Sequence, residues 1–278
     1  MKIYRRKSRY SNRDAILPST YGELFIDTIK QNWRTIILIG IFSFCFFLPT
    51  LAFMFIKDYY FISLAAGDYF EAEIDALKIT SRNLFNIGLV LGIVFASIGV
   101  SGLSRINLLV AREEGCFFFK DFNKGVRQNI KSNIIFFLIY AALIYLSLLV
   151  INNINANYLI YIPFGIVQTL FFPLLLINIE TTSIYSWTLK DSFRNAVFIY
   201  IRNFFFVFLF SLGLTSILLF HLITYIFLKY ILIALFIVII YPFIILGMRV
   251  YFNKVLDRDI NKEHYPEIYK MGIYEKKE

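Results

Sequence analysis

Hydroxyl, imidazole and carboxylate side chains at membrane depth are what intramembrane hydrolysis or proton relay would need. This chain offers few of them. Gly99-Val100-Ser101-Gly102 sets a serine between glycines, and His221 is the one histidine outside the C-terminal segment, the other being His264. A serine nucleophile needs its base within hydrogen-bond reach. Ser101 stands one helical turn before Arg105, whereas His221 follows Asn203 by 18 residues, roughly 27 Å along a helix. The spacing therefore puts the two near opposite membrane faces. Ser101 is read as a packing residue, and His221 as the partner of a neighbouring helix or of water.

The other patterns are equally sparse. There is no His-Glu-x-x-His, no phosphate loop and no Cys/His cluster with metal spacing, so no catalytic residue, metal or cofactor is expected. Cys45 and Cys116 fall at different levels and do not suggest a disulfide framework. Gln168 and Thr169 are the most polar pair near a mid-membrane position, where interhelical hydrogen bonding is favoured over a ligand contact. Arg105, Glu180 and Arg249 are expected at cytoplasmic helix ends, with their charges snorkelling to the interface. The sharper alternative is a charged ring of these three at the cytoplasmic mouth.

The elements that must position these residues follow from the charges. Only 17% of the chain is Asp, Glu, Lys or Arg, against roughly 25% in a soluble domain. Five stretches carry none: 35–56, 83–104, 132–179, 203–228 and 230–248. About 20 apolar residues span a bilayer core as a helix. The third stretch has 48 residues, roughly 72 Å as one helix, and must fold back. Asn152-Asn153-Ile154-Asn155-Ala156-Asn157 supplies its turn, because Asn tolerates left-handed backbone angles. The expected fold is all-α: an integral membrane bundle with spans near 35–56, 84–104, 133–151, 158–179, 204–226 and 230–249. A basic tail (1–18) precedes this domain (19–256), and a polar tail (257–278) follows it. The first apolar run begins too late, and is too long, for a signal peptide.

Lys and Arg set the orientation. All 28 lie on one side of the six-span scheme except Lys57, Lys78, Arg82 and Lys229. That side, which holds both termini, is expected to be cytoplasmic. The net charge of +9 is thereby a topology signal, with the lipid bilayer as partner and no nucleic acid implied.

The sequence suggests a threefold hairpin repeat, the alternative being three unrelated segments that share basic residues because they are cytoplasmic. Three cytoplasmic segments read as amphipathic helices leading into odd-numbered spans: Tyr21, Leu24, Phe25, Ile29 and Trp33; then Phe118, Phe122, Val126 and Ile130; then Leu189, Phe193, Val197 and Ile201. Thr20-x-x-Glu23 and Thr188-x-x-Asp191 resemble capping boxes. Asn32, Asn129 and Asn203 stand at the membrane entrances, each beside a basic residue. Pro173 and Pro242 each precede a charged residue, Glu180 and Arg249, by seven positions. Gly88, Gly92 and Ala96 form a small stripe that suits close helix packing.

At several of these residues the chain resembles the YesL-like family of bacterial membrane proteins, a domain of unknown function. The pieces are Asn32-Trp33, Phe47-Leu48-Pro49-Thr50, Arg112-Glu113-Glu114-Gly115 with Lys120-Asp121-Phe122 and Gln128-Asn129, Phe172-Pro173-Leu174-Leu175, and Leu189-Lys190-Asp191-Ser192-Phe193-Arg194-Asn195-Ala196. The resemblance covers most of residues 20–255. Residues 57–82 form a longer outer loop than it leads one to expect. It implies a plasma-membrane protein associated with carbohydrate uptake systems and their sensors, and no established reaction. The expected function is a non-enzymatic accessory or regulatory partner of a sugar transporter or sensor kinase. The alternative is a small-solute transporter in its own right.

Overall fold

A computed structural model describes residues 18–67, 71–153 and 161–274. Among these, six helices are long and apolar enough to cross a membrane. The first three are α1 (Tyr21–Ala66), the Thr80–Ala111 part of α2 (Glu71–Ala111), and α3 (Phe118–Asn153). Span four is α4 (Ile162–Ile166), a π-turn (Val167–Phe171) and α5 (Phe172–Thr182). Helix α6 (Leu189–Arg202) leads into span five, α7 (Phe204–Thr215) with a 3₁₀ segment (Ser216–Leu222). Span six joins α8 (Ile226–Leu235), a π-turn (Phe236–Ile240) and α9 (Tyr241–Leu256). It runs on through a further π-turn (Asp257–Asn261) into α10 (Lys262–His264). The turn assigned to Asn152–Asn157 falls mostly in 154–160, outside the described residues.

Each span packs on the one before it and the one after it, and span six returns to span one. The chain thus traces a ring in sequence order, with α2 also reaching α5 and α9. Its outer surface is apolar, with Leu84, Leu91, Phe205 and Ile231 all more than half exposed. In a bilayer, such side chains face lipid tails.

Local chemistry explains where helices begin and bend. The Thr20 hydroxyl accepts from Glu23 N at 3.2 Å, and the Glu23 carboxylate accepts from Ser19 N and Oγ. Thr188 Oγ1 accepts from Asp191 N in the same way. The carboxylate of Asp121 accepts from Phe117 N, holding the start of α3. Asn32 leaves helical geometry inside α1 (φ −115°, ψ 19°), and Asn203 does so between α6 and α7 (φ −123°, ψ 27°). Helix packing uses the small stripe: a Cβ on Gly88, Gly92 or Gly99 would collide with Phe53, Thr50 or Phe46 of α1. Gly40 approaches the span-six backbone so closely that a Cβ would lie 2.0 Å from Val238 O.

Two boundaries differ from the sequence reading. Residues 57–82 do not form a long loop: α1 runs to Ala66 and α2 starts at Glu71. Lys57, Asp58, Lys78 and Arg82 interrupt a charge-free run, but charge does not break a helix. At the other end, helix persists to His264, and the polar tail folds back. Tyr274 N donates to Pro18 O, and the Asp257 carboxylate accepts from the Tyr21 hydroxyl, Asn261 and Lys270 N.

Candidate functional site

Spans four and six carry the same local plan. In each, a five-residue π-turn is followed by an aromatic residue and then by proline, Phe172-Pro173 or Tyr241-Pro242. Proline has no N–H to donate and displaces the backbone of the preceding turn, which the π-turn absorbs. Two turns later come Glu180 and Arg249, and the shared plan aims both at the ring interior. Arg249 Nε lies 2.6 Å from Glu180 Oε2, with both side chains at most 1% exposed. The guanidinium also donates to Glu180 O at 2.8 Å and to Ser104 O at 3.2 Å. It therefore fastens α9 to α5 and α2 together. An isolated charge here would cost several kcal/mol, and pairing with added hydrogen bonds makes its burial tolerable.

This arrangement replaces both sequence readings of the three charges. Glu180 and Arg249 do not snorkel, because they face each other across the ring. Nor does Arg105 join them. One residue past Ser104, it is rotated by about 100° and points at α3. There it donates to Gln128 Oε1 at 2.8 Å and lies 3.8 Å from Asp121.

A chain of buried amides and hydroxyls continues the layer. Asn129 Nδ2 donates to Ser101 O at 3.1 Å and Ser104 Oγ at 3.2 Å. Asn133 Nδ2 donates to Ser101 Oγ at 3.0 Å, while that hydroxyl donates to Ser97 O. Asn178 Nδ2 donates to Asn133 Oδ1, and Asn178 Oδ1 accepts from Ser132 and Ser192. Ser101 is accordingly a junction of α2 with α3, more than a small packing residue. Sequence reasoning missed Asn133 and Asn178. The available signal was an amide inside an otherwise apolar run, which in lipid must find a partner.

The three Asn residues are not equivalent. Asn32 and Asn203 share a corner conformation. Asn129 lies within the unbroken run of α3 and is 2% exposed, stitched to α2. Asn203 Nδ2 caps Ile199 O, and its Oδ1 accepts from Arg258 at 3.1 Å. The apolar stripes diverge as well. Phe122 belongs to the core, but Leu189, Phe193 and Ile201 of α6 are exposed. Helix α6 instead buries Ser192, Ala196, Ile199 and Tyr200. A four-residue step advances 40° beyond a full turn, so the expected stripe winds off the buried face. Gln168 bonds the Tyr140 hydroxyl at 3.0 Å, joining span four to α3.

Above the polar layer the ring encloses a cavity of about 280 Å³. Most of its wall is Ile, Leu, Phe, Val and Met, with Ser43, Thr50, Ser104, Tyr140, Tyr241, Glu180 and His221 as polar members. On the side of the termini it closes on Glu180 and Ser104, both buried. On the far side it reaches the surface at Leu218 and His221. On that side Lys229 Nζ lies 2.6 Å from Asp58 Oδ2, which also accepts from the Tyr230 hydroxyl, locking span six to α1.

No family model matches the chain, and no curated protein or solved structure matches it either. The site must be read from its own chemistry.

Outside the spans, one loop is electrostatically unusual. Burial and the neighbouring Asp27 carboxyl push the Glu113 carboxyl up to about 7. Its φ of 55° is left-handed, a conformation that favours glycine. Burial raises the Cys116 thiol to about 11, which leaves it a poor nucleophile at neutral pH. Burial also lowers the Arg112 guanidinium. Among the described residues, no three His, Cys, Asp or Glu side chains converge to hold a metal ion.

Proposed function

We propose that this chain is a non-enzymatic, multi-pass protein of the bacterial plasma membrane, with its termini in the cytoplasm. It serves as an accessory or regulatory partner of a carbohydrate uptake or sensing system. The sugar connection comes from the YesL-like resemblance. The observation that makes it indirect is the apolar wall of the cavity. A sugar entering such a space would strip water from its hydroxyls with few partners in return, at a cost of roughly 1–3 kcal/mol each. The only serine in a nucleophile-like setting has its hydroxyl committed to Ser97 O and Asn133. Three helix starts and a folded tail on the side of the termini offer a firm surface to a transporter or sensor kinase. Purification in mild detergent, followed by mass spectrometry of co-purifying proteins, tests this. Sugar-transport or sensor-kinase subunits are expected, and their consistent absence under native expression would refute the reading.

A second reading, a small-solute transporter in its own right, draws on the cavity and on the matched π-turn and proline breaks of spans four and six. Uptake of an apolar solute into vesicles containing the purified chain alone would favour it.

A further inference from the structure

The cavity is long for its volume. Its lining on α1 extends from Ile39 to Met54, about 22 Å of helix at 1.5 Å per residue. That is most of a hydrocarbon core of about 30 Å. Spread over this length, 280 Å³ makes a narrow space and not a round one. The space is a slot, closed at Glu180 and open at Leu218 and His221. An engineered cavity of about 150 Å³ lined by Leu, Ile and Phe stays dry and takes up benzene. This one is about twice as large, with a similar lining and an elongated shape.

We infer that the slot binds a single-chain amphiphile: one alkyl or isoprenoid chain lying lengthwise, its polar head at the His221 mouth. The tail runs along Phe47, Ile93, Phe236 and Ile237 toward the closed end. Each methylene removed from water tightens binding about fourfold, so chain length sets affinity in an aqueous assay. The head stays where His221, Lys229 and Asp58 leave the bundle polar. Compact polar solutes do not fit the lining, and compact apolar ones leave most of the length empty. This occupancy is independent of whether the chain assists a carbohydrate system.

The test uses the full chain in phosphatidylcholine nanodiscs and palmitic acid carrying a diazirine near its tail. Labelling should saturate at one equivalent and map to slot residues such as Phe47, Ile93 or Phe236. Excess palmitate or oleyl alcohol should displace it, and maltose should not. Leu218→Trp, at the exposed mouth, should reduce labelling at least tenfold while the thermal transition is kept. Ala96→Phe, which fills the wall, should act likewise where it folds. Unsaturable labelling spread over lipid-facing Phe205, Leu212 and Ile231 would overturn the inference. So would equal labelling of the slot by a diacyl lipid with the same diazirine, or displacement by maltose.

Discussion

Arg249→Met tests how the six spans are held together. The substitution keeps a long side chain but leaves the Glu180 carboxylate buried without its cation. Removing one partner of a buried pair costs about 3–5 kcal/mol, and here both side chains are at most 1% exposed. The lost bonds to Glu180 O and Ser104 O add little: Ser104 O lies within α2 and keeps its main-chain donor, and Glu180 O still accepts from the Ser183 hydroxyl at 2.8 Å. Replacing both partners removes the stranded charge, so Glu180→Met/Arg249→Met should return to within about 1 kcal/mol of wild type. Unfolding by dodecyl sulfate in mixed micelles, followed by tryptophan fluorescence, would measure this. Trp187 stacks on Tyr185 with ring centroids 4.4 Å apart and reports on the surface above the pair. If the two single substitutions add in the double variant, the ion pair is not the fastening described.

Ser101→Ala should cost about 1–3 kcal/mol, because Asn133 Nδ2 loses its acceptor in a dry layer; an unchanged unfolding midpoint would remove Ser101 from the network. The Glu113 carboxyl titrates near 7 when folded, above its ordinary 4.5, so its contribution to stability is greatest below about 4.5 and declines as pH rises to about 7. Glu113→Gln should flatten that segment of a stability–pH curve, and an unaltered curve would show that the loop does not titrate as described. Topology reporters fused after Gly67 should read as external, and those fused after Tyr274 as cytoplasmic. The reverse pattern at either site would invert the orientation argued from Lys and Arg.

Six spans were legible because lipid demands long charge-free runs, and nothing else in a sequence imitates them. Helix ends were less so. A sequence shows where charge appears, and Lys57 or Arg258 can ride on a continuing helix. The partnership of Glu180 with Arg249 was half-visible. The shared spacing from Pro173 and Pro242 marked them as equivalent, yet only the ring closure places spans four and six face to face. Arg105 looked like a third member but turns away by one residue's rotation. The cavity was not legible, since a void is a property of how apolar side chains meet, and any Ile or Leu lining it reads like one packed in the core.

The 69 residues that separate Glu180 from Arg249 also order events in time. A growing chain delivers the carboxylate to the membrane before its guanidinium has been synthesised. Until the final span arrives, span four carries an acid with no cation, and the ring has no sixth wall. A chain interrupted after span five would therefore differ from a finished one in charge as well as in shape. That lone carboxylate distinguishes the incomplete product from the complete one, in which Arg249 covers it.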